Sequence, residues 1–548
     1  SGLLISYLLT LGAVPLLAER LIDERHAAAR APGRFARWSA HRYERGLATL
    51  LRRPALVLVG VLPLLLCGGL AFRAVGTGFM PVMDEGGFIL DYLSAPGTSL
   101  DETNRLLNQV EAIIRANPHV ATYSRRTGLQ LGGGLTEANT GDFFIRLKDG
   151  PRPAIGAVMD EIRGAVEAGV PGLDIELAQL MEDLIGDLVA VPQPIEVKLY
   201  GDDPTQLGAA AKKVAAALGR IDGVVDVRDG INPAGDAIEV QVDPARAALA
   251  GVDPQTVADQ VATALAGALP AQLPQGPKMV GVRVRLAPST DARIGQLAAL
   301  PIRDSSGRVF ALSHVATLRE QHGQPEITRE NLKRMVAVTG RISGRDLGST
   351  AADVRRLLEQ RDMLPAGMYH ELGGLYAQQQ QAFRGLTIVL AAAIALVFAL
   401  LLFLYESFRI ALVILAMPLL AMAAVFIGLW LTGIELNITA MMGMTMIVGI
   451  VTEVAIFYFS EFAAIDAARP AADAAPESRH AALVEAGHNR MRPILMSTLA
   501  AILTLLPLAL AIGRGSQMQQ PLAVAIIAGL LVQVPLVLLV MPVAYATT

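Results

Sequence analysis

Residues 436–460 read LNITAMMGMTMIVGIVTEVAIFYFS, an apolar run that is interrupted by a single charge, Glu453. A helix rises about 1.5 Å per residue and the hydrocarbon core of a bilayer is about 30 Å thick, so this run is long enough to cross a membrane. A charge at the centre of such a span costs roughly 2.5–3.5 kcal/mol, so it usually has a function. We therefore predict a spanning helix with a functional carboxyl group. The alternative is a protonated glutamate with a structural hydrogen bond.

Six further apolar runs contain no charged residue and have lengths that suit a bilayer: 2–18, 54–72, 386–404, 410–432, 494–512 and 521–545. Most of the runs lie close together near the end of the sequence, which is difficult to reconcile with buried helices of a soluble core. The sequence therefore predicts a polytopic α-helical membrane protein. The predicted transmembrane helices are 1–22, 54–72 and five more within 386–548.

Arginines are concentrated in segment 23–53, between the first two runs. Basic residues near spans mark the cytoplasmic side, so this segment is predicted to be cytoplasmic. We expect it to form a basic amphipathic helix that lies on the anionic inner leaflet. Residues 73–385 then lie outside the cytoplasm, and the turn at 406–409 and the loop at 462–492 lie inside.

The extramembrane block 73–385 alternates strand-like and helix-like patterns. Strand signals at 195–199 and 224–228 flank a helical stretch at 204–218, and the order strand, turn, helix, strand recurs around 100–116. This order predicts a large α+β domain of ferredoxin-like βαβ repeats. An insertion near 250–325, rich in Gly, Pro and Gln, interrupts the pattern and is predicted to form a hairpin.

Composition excludes several classes of function. The net charge is −4, so no broad basic surface is available for nucleic acid. The one cysteine, Cys67, lies in an apolar run, so neither a disulfide within the chain nor a cysteine-ligated metal site is expected. The glycines at 132–134 are not followed by the Gly-Lys-Ser/Thr of a phosphate-binding loop, so ATP-driven transport is not supported. No cofactor and no resident metal is predicted.

Two sets of residues near Glu453 have competing interpretations. The methionines before it could bind a soft cation through their thioethers, but they are more simply explained as packing residues; they are Met441, Met442, Met444 and Met446. Ser497 and Thr498 begin a later span, and their hydroxyl groups could either relay protons or bond to the preceding turn. Arg490 and Arg492 are explained by the positive-inside pattern alone.

Several motifs together resemble the second half of the resistance–nodulation–division (RND) efflux transporters. The resemblance covers nearly the whole chain, from the end of the sixth to the twelfth transmembrane helix. It is carried by Phe79-Met-Pro81 with Glu85-Gly86, by Leu404-Tyr-Glu-Ser-Phe-Arg409, by Leu431-Thr-Gly-Ile-Glu-Leu-Asn437, by Arg490-Met-Arg-Pro-Ile-Leu-Met-Ser497 and by Gln520-Pro-Leu-Ala-Val524. The heavy-metal and cation branches are among the most similar.

The resemblance implies proton-driven export from the inner membrane of a Gram-negative cell. It implies a homotrimer, with a periplasmic porter domain over 73–385, a docking-type insertion near 250–325, a periplasmic adaptor and an outer-membrane channel. By the same resemblance, Glu453 occupies the proton-relay position of the tenth helix, Ser497 that of the eleventh, and Arg490 a functional position near its cytoplasmic mouth. No substrate-binding residue is assigned.

The sequence also departs from the family pattern. The principal relay aspartates of the family lie on the fourth helix, so we expect an N-terminal half of the transporter to supply them. The methionine triad of the metal branch is not seen: Asp91 and Thr140 stand at two of its positions, and Ile494 replaces a relay lysine of that branch. The substrate therefore stays open between small molecules and cations, with monovalent soft metals least supported. A non-pumping relative that acts as an assembly or lipid-handling scaffold is the alternative.

Overall fold

A computed structural model describes residues 2–21, 34–81, 83–128, 137–189, 193–231, 237–284, 294–321, 326–360, 362–468, 476–513 and 515–547. Residues 23–33 of the predicted cytoplasmic segment 23–53 and part of the loop at 462–492 therefore lie outside the described residues. The helices are α1 Gly2–Leu21, α2 Arg34–Arg52, α3 Ala55–Ala74, α4 Leu100–Ala116, α5 Ile155–Gly169, α6 Leu180–Val189, α7 Pro204–Leu218, α8 Pro244–Leu249, α9 Pro254–Ala266, α10 Ile294–Ala298, α11 Leu347–Leu358, α12 Gly374–Tyr405, α13 Phe408–Thr432, α14 Ile438–Ala467, α15 Pro476–Ala509, α16 Gln520–Pro535 and α17 Met541–Thr547.

The strands are β1 Gly87–Ser94, β2 Val120–Thr127, β3 Thr140–Leu147, β4 Leu173–Gln179, β5 Ile195–Tyr200, β6 Val224–Arg228, β7 Ala237–Val242, β8 Ala268–Gln275, β9 Lys278–Val284, β10 Pro301–Arg303, β11 Val309–Ala311, β12 Ala316–Gln321, β13 Thr328–Glu330, β14 Lys333–Ile342 and β15 Tyr369–Gly373. The chain divides into two compact units. The helical unit comprises 1–84, 345–352 and 375–548, and the sheet unit comprises 85–344 and 353–374.

Six helical segments of the described chain are long and apolar enough to cross a membrane: 55–74, 374–405, 408–432, 438–467, 477–509 and 520–547. The helix α1 precedes them. The last segment is continuous because a π-helical turn, Leu536–Val540, joins α16 to α17. The protein is thus a multi-pass membrane protein with a separate unit that contains the β-sheets.

Local sequence signals explain where the spanning helices begin and end. The side chain of Ser407 accepts a hydrogen bond from the Ile410 amide and begins α13, and Asn437 caps α14 through the Ala440 amide at 3.0 Å. Gly433 ends α13 in the left-handed region with φ +67°, which costs glycine little. The turn between α13 and α14 is therefore fixed by side chains that its own sequence provides.

One face of the basic helix α2 packs against the helical unit. Tyr43, Leu47 and Leu51 lie on one face of this helix and are buried in the core of the helical unit. The opposite face, with Arg42 and the 56% exposed Trp38, is open. The helix therefore packs against protein along one side, because its apolar residues at intervals of four form a continuous stripe.

The first sheet of the sheet unit is antiparallel, with the strand order β2-β3-β1-β4. Along the chain its elements follow as β1-α4-β2-β3-α5-β4, and α4 and α5 bury their apolar faces with the sheet in one core. The second sheet has the order β13-β14-β5-β15, with β6 also paired to β14. The helices predicted at 100–116 and 204–218 have those bounds, since each is framed by strong cap and turn signals.

Within the predicted insertion at 250–325, the strands β8 and β9 form a two-stranded antiparallel hairpin whose side chains are nearly all exposed. The neighbouring residues are ordinary globular structure. A small core formed with Val257, Ile302 and Leu312 joins α9 to the strands around it. The segment is therefore part hairpin and part packed subdomain.

Candidate proton-relay site

Glu453 lies on α14, in the stretch predicted to carry the functional carboxyl group. Its neighbours in sequence, Thr452 and Val454, are buried, but Glu453 itself is exposed in the described chain. Between Met442 and Ser460 the exposed residues of α14 recur at intervals of three and four and form one stripe along the helix; the stripe is Met442, Met446, Gly449, Glu453, Phe457 and Ser460. We call this set the Glu453 stripe. It is a helix face that no described residue covers.

The methionines that precede Glu453 divide between two faces. Met444 is buried against α16 residues, whereas Met442 and Met446 are 47% and 50% exposed on the Glu453 stripe. Among the described residues no group of three or more His, Cys, Asp or Glu side chains has a geometry that could hold a metal ion.

The two hydroxyl residues at the start of the eleventh-helix motif have different surroundings. Ser497 is exposed, and its hydroxyl group donates to the carbonyl oxygen of Ile494 at 3.1 Å, one turn earlier. Thr498 is 6% exposed, and its hydroxyl oxygen has no hydrogen-bond partner among the described residues. Backbone bonding is the ordinary behaviour of serine in an apolar helix, and this bond can be exchanged when another acceptor approaches.

Arg490 forms an ion pair that the sequence did not predict. Its guanidinium group lies against the carboxylate of Glu461 on α14, with Nη2 at 2.8 Å and Nε at 3.1 Å from Oε2. The side-chain amide of Asn489 donates to the other oxygen of Glu461 at 2.9 Å. One carboxylate on α14 thus holds two consecutive residues of α15. The signal available in the sequence was an acidic residue, Glu461, directly after the apolar run 436–460.

The sheet unit contains a carboxyl group with unusual acidity, Asp91 on β1. Its cross-strand neighbours are Asp142 on β3 and Glu176 on β4. Burial, with the negative charges of Asp183, Glu176 and Asp142, raises the pKa of Asp91 to about 7. Asp142 and Glu176 are both paired with arginines, Arg126 at 2.6 Å and Arg341 at 2.6 Å.

A second unusual carboxyl group, Glu435, lies in the connection between α13 and α14, outside the spanning segments. The connection is joined to the chain after α3, because Gly78 donates to the carbonyl of Leu436 at 3.1 Å and the Leu436 amide donates to Gly76 at 2.8 Å. Burial raises the pKa of Glu435 to about 7, and the negative charge of Asp346 adds to this effect. A Cβ at Gly78 would collide with the Glu435 carboxylate, so a larger residue there would require that side chain to move.

The motifs that suggested the RND transporters are accompanied by similarity along the whole chain. The sequence is 31% identical over 559 residues to the cobalt-zinc-cadmium resistance protein CzcA of Cupriavidus metallidurans, covering 99% of this chain and 52% of that protein. It is 29% identical to the nickel and cobalt resistance protein CnrA of the same organism, covering 86% and 44%. Protein HelA of Legionella pneumophila is 29% identical, covering 93% and 49%. The chain thus spans about half the length of the curated relatives it matches.

The fold is similar to that of a solved transporter. A crystal structure of a heavy metal efflux pump superimposes with a TM-score of 0.81 at 26% identity, covering 94% of this chain and 53% of that one. A second crystal form of a heavy metal efflux pump gives a TM-score of 0.78 at the same identity. The AcrB/AcrD/AcrF family matches residues 1–548. The chain therefore belongs to the AcrB/AcrD/AcrF family of RND permeases.

Proposed function

We propose that the chain is one half of a proton-driven RND efflux transporter that exports heavy-metal cations. The observation that carries the proposal is Glu453, a single carboxyl group on the uncovered stripe of a membrane-length helix. A carboxylate facing lipid at mid-bilayer costs roughly 2.5–3.5 kcal/mol, so the stripe requires protein or a water-filled cavity against it. The family and the names of the relatives support export, and those names support a divalent heavy-metal cation as cargo.

Glu453 would take up and release the proton, while the Glu453 stripe would face the N-terminal half of the transporter. That half would supply the acidic partners of the relay. Ser497 would exchange its bond to Ile494 for a bond to a relay group, and Arg490 would act at the cytoplasmic mouth. The chain itself catalyses no chemical reaction in this scheme, and no bound cofactor takes part.

The proposed architecture places the protein in the inner membrane as a homotrimer. Residues 1–22 and 54–72 would span the bilayer, 23–53 would be the cytoplasmic helix, and 386–548 would contribute five more spans. Residues 73–385 would form a periplasmic porter domain of ferredoxin-like subdomains, in contact with an adaptor and an outer-membrane channel. The chain order β1-α4-β2-β3-α5-β4 and the sheet order β2-β3-β1-β4 support the ferredoxin-like assignment.

The test is Glu453→Gln in the complete transporter, reconstituted in proteoliposomes with a Zn²⁺ gradient and an imposed pH gradient. Glutamine keeps the size of the side chain but cannot carry a proton, so proton-coupled Zn²⁺ flux should fall to the leak rate while the trimer remains intact by size-exclusion chromatography. The control is Glu477→Gln, the same change at an exposed residue in the first turn of α15. Retained flux in Glu453→Gln would exclude the relay role, and absence of flux in the wild type would favour the scaffold alternative.

A further inference from the structure

The contact between Glu461 and residues 489–490 is a charged link between α14 and α15 near the proposed relay, beside the 2.7 Å hydrogen bond that the Tyr458 hydroxyl group donates to the Leu483 carbonyl. Both oxygens of the carboxylate are used, one by Arg490 and one by Asn489. The Glu461 side chain is 23% exposed and that of Arg490 is 35% exposed, so the pair is partly shielded from solvent. A carboxylate that accepts hydrogen bonds from two residues restrains the relative position of the two helices in addition to pairing the charges, because both donors must reach it at the same time.

The position of this contact determines which residues of the two helices lie at the same depth. Helices α14 and α15 follow each other along the chain. In the proposed topology α14 descends toward the cytoplasmic arginines and α15 ascends from them, so the two helices run in opposite directions. From Glu461, eight residues back along α14 lead to Glu453, a rise of about 12 Å. From Arg490, seven residues forward along α15 lead to Ser497, a rise of about 10 Å in the same direction.

Glu453 and Ser497 therefore lie at the same depth to within about one helical turn. If α15 slipped by one turn along α14, the difference in depth between Glu453 and Ser497 would grow by about 5 Å, and the two residues would no longer lie at the same level. Apolar packing alone gives weak control over such slips, because a smooth apolar helix face can pack in several registers. A carboxylate that binds two adjacent side chains can be satisfied in only one.

We propose that Glu461 is a positioning residue of the relay: by holding Arg490 and Asn489 it sets the register of α15 against α14, which places Ser497 level with Glu453. This inference rests on the proposed relay. Glu461 does not touch the proton that Glu453 carries. It acts through the helix that bears Ser497, and so it affects the coupling between the two groups and not the chemistry of either.

The test compares Glu461→Gln and Glu461→Asp in the complete transporter. Proton-coupled Zn²⁺ flux in proteoliposomes is measured from pH 5.5 to pH 8.5, with Glu477→Gln as the control. We expect Glu461→Gln to reduce the flux about tenfold and to shift its pH profile, and Glu461→Asp, which keeps the carboxylate, to retain more flux and a profile closer to that of the wild type. Trimer elution and melting temperature are measured on the same samples.

A wild-type flux and pH profile in Glu461→Gln would overturn the inference. It would also be overturned if the flux fell in proportion to a lower melting temperature with an unchanged pH profile, and Glu461→Asp retained no more flux than Glu461→Gln, because that pattern belongs to a general loss of stability. Glu453→Gln, measured in the same preparation, tests the relay separately. If Glu453→Gln transports normally the proposed relay is wrong, whereas normal transport in Glu461→Gln alone removes only the positioning role.

Discussion

The hydroxyl group of Tyr43 donates a 3.1 Å hydrogen bond to the carbonyl oxygen of Leu538, which joins the basic helix α2 to the π-helical turn of the last membrane segment. A π-helical turn lengthens the backbone hydrogen-bond interval and shifts carbonyl groups away from their helical partners. Leu538 thus offers an acceptor in an apolar core where few others exist. The bond explains how a helix with many arginines is held against the bundle.

Gly487→Ala should release α2 from the bundle. A Cβ at this position would collide with the Tyr43 hydroxyl group, so the ring must move and the bond to Leu538 must break. We expect a loss of about 1–3 kcal/mol in the local stability of α2. Hydrogen exchange of residues 34–52 in detergent checks this. Gly46→Ala on α2 is the control because nothing lies within 4 Å of its Cβ, and equal exchange in both variants would contradict the prediction.

Asp226→Asn should destabilise the sheet unit. Arg163 donates to Asp226 at 2.7 Å, the Asp226 side chain is fully buried, and the Leu177 amide donates to the same carboxylate at 3.1 Å. Asparagine tolerates the backbone at this position, where φ is +49°, so the change chiefly removes the charge that balances a buried guanidinium group. We expect a loss of about 3 kcal/mol, measured by hydrogen exchange over β6 and α5.

A nearby aspartate provides the control for that experiment. The Asp229 carboxylate accepts a hydrogen bond from the Ile231 amide at 3.0 Å, and an asparagine oxygen can accept the same bond. Asp229→Asn should therefore leave exchange in β6 and α5 nearly unchanged. If both variants are destabilised equally, the buried ion pair between Arg163 and Asp226 contributes no more to stability than the Asp229 hydrogen bond does.

The stability of the first sheet should depend on pH through Asp91. Its pKa is raised from an ordinary 3.8 to about 7, so the folded state binds this proton more tightly than the unfolded state. The contribution is fully present below about pH 4 and is lost as the pH rises through about 7. Asp91→Asn should remove the loss and stabilise β1 at pH 8 by up to about 4 kcal/mol relative to wild type.

Hydrogen exchange of residues 87–94, corrected for the intrinsic rate at each pH, measures that difference. At pH 4 the wild type and Asp91→Asn should exchange alike, and at pH 8 the variant should exchange more slowly. A wild type that is as protected as the variant at pH 8 would show that Asp91 is charged without cost, for example through Arg228.

Glu435→Gln should stabilise the connection between α13 and α14 at pH 8, as Asp91→Asn should stabilise β1. The pKa of Glu435 is raised from 4.5 to about 7, so its stabilising contribution is present below about pH 4.5 and lost as the pH rises through about 7. The charged neighbours on the segment packed here are Asp346, which raises the pKa of Glu435, and Arg345, which acts on Asp346. Exchange of the Leu436 amide should be slower in the variant at pH 8. Glu477→Gln should leave it unchanged.

The sequence predicted what depends on local pattern. The membrane helices follow from runs of apolar residues, and α4 and α7 follow from caps and from the 3.6-residue repeat. The buried face of α2 was also visible in principle, since Tyr43, Leu47 and Leu51 recur at intervals of four. The sequence analysis rested on the charges of the other face, and the contact of that face with the inner leaflet stays a prediction.

The groups that were missed depend on contacts between distant residues. Asp91 has a raised pKa because strand register brings Asp142 and Glu176 beside it, and no local pattern encodes register between β1, β3 and β4. Glu461 could not be assigned without knowing that α15 places Asn489 and Arg490 opposite it. The sequence therefore predicts which groups are ionisable within apolar segments, but the tertiary structure decides which of them interact.

The spacing of the Glu453 stripe limits the geometry of any helix that covers it. The intervals of three and four residues average the 3.6-residue turn of an α-helix, so the seam runs parallel to the axis of α14, and a partner helix following it would cross at a small angle. Gly449 has open space where a Cβ would stand, so the two backbones would come closest one turn before Glu453. The carboxyl group of Glu453 would then lie one turn beyond the point of closest approach. Little room for water would remain on the side toward Gly449, and the side chain could turn away from it.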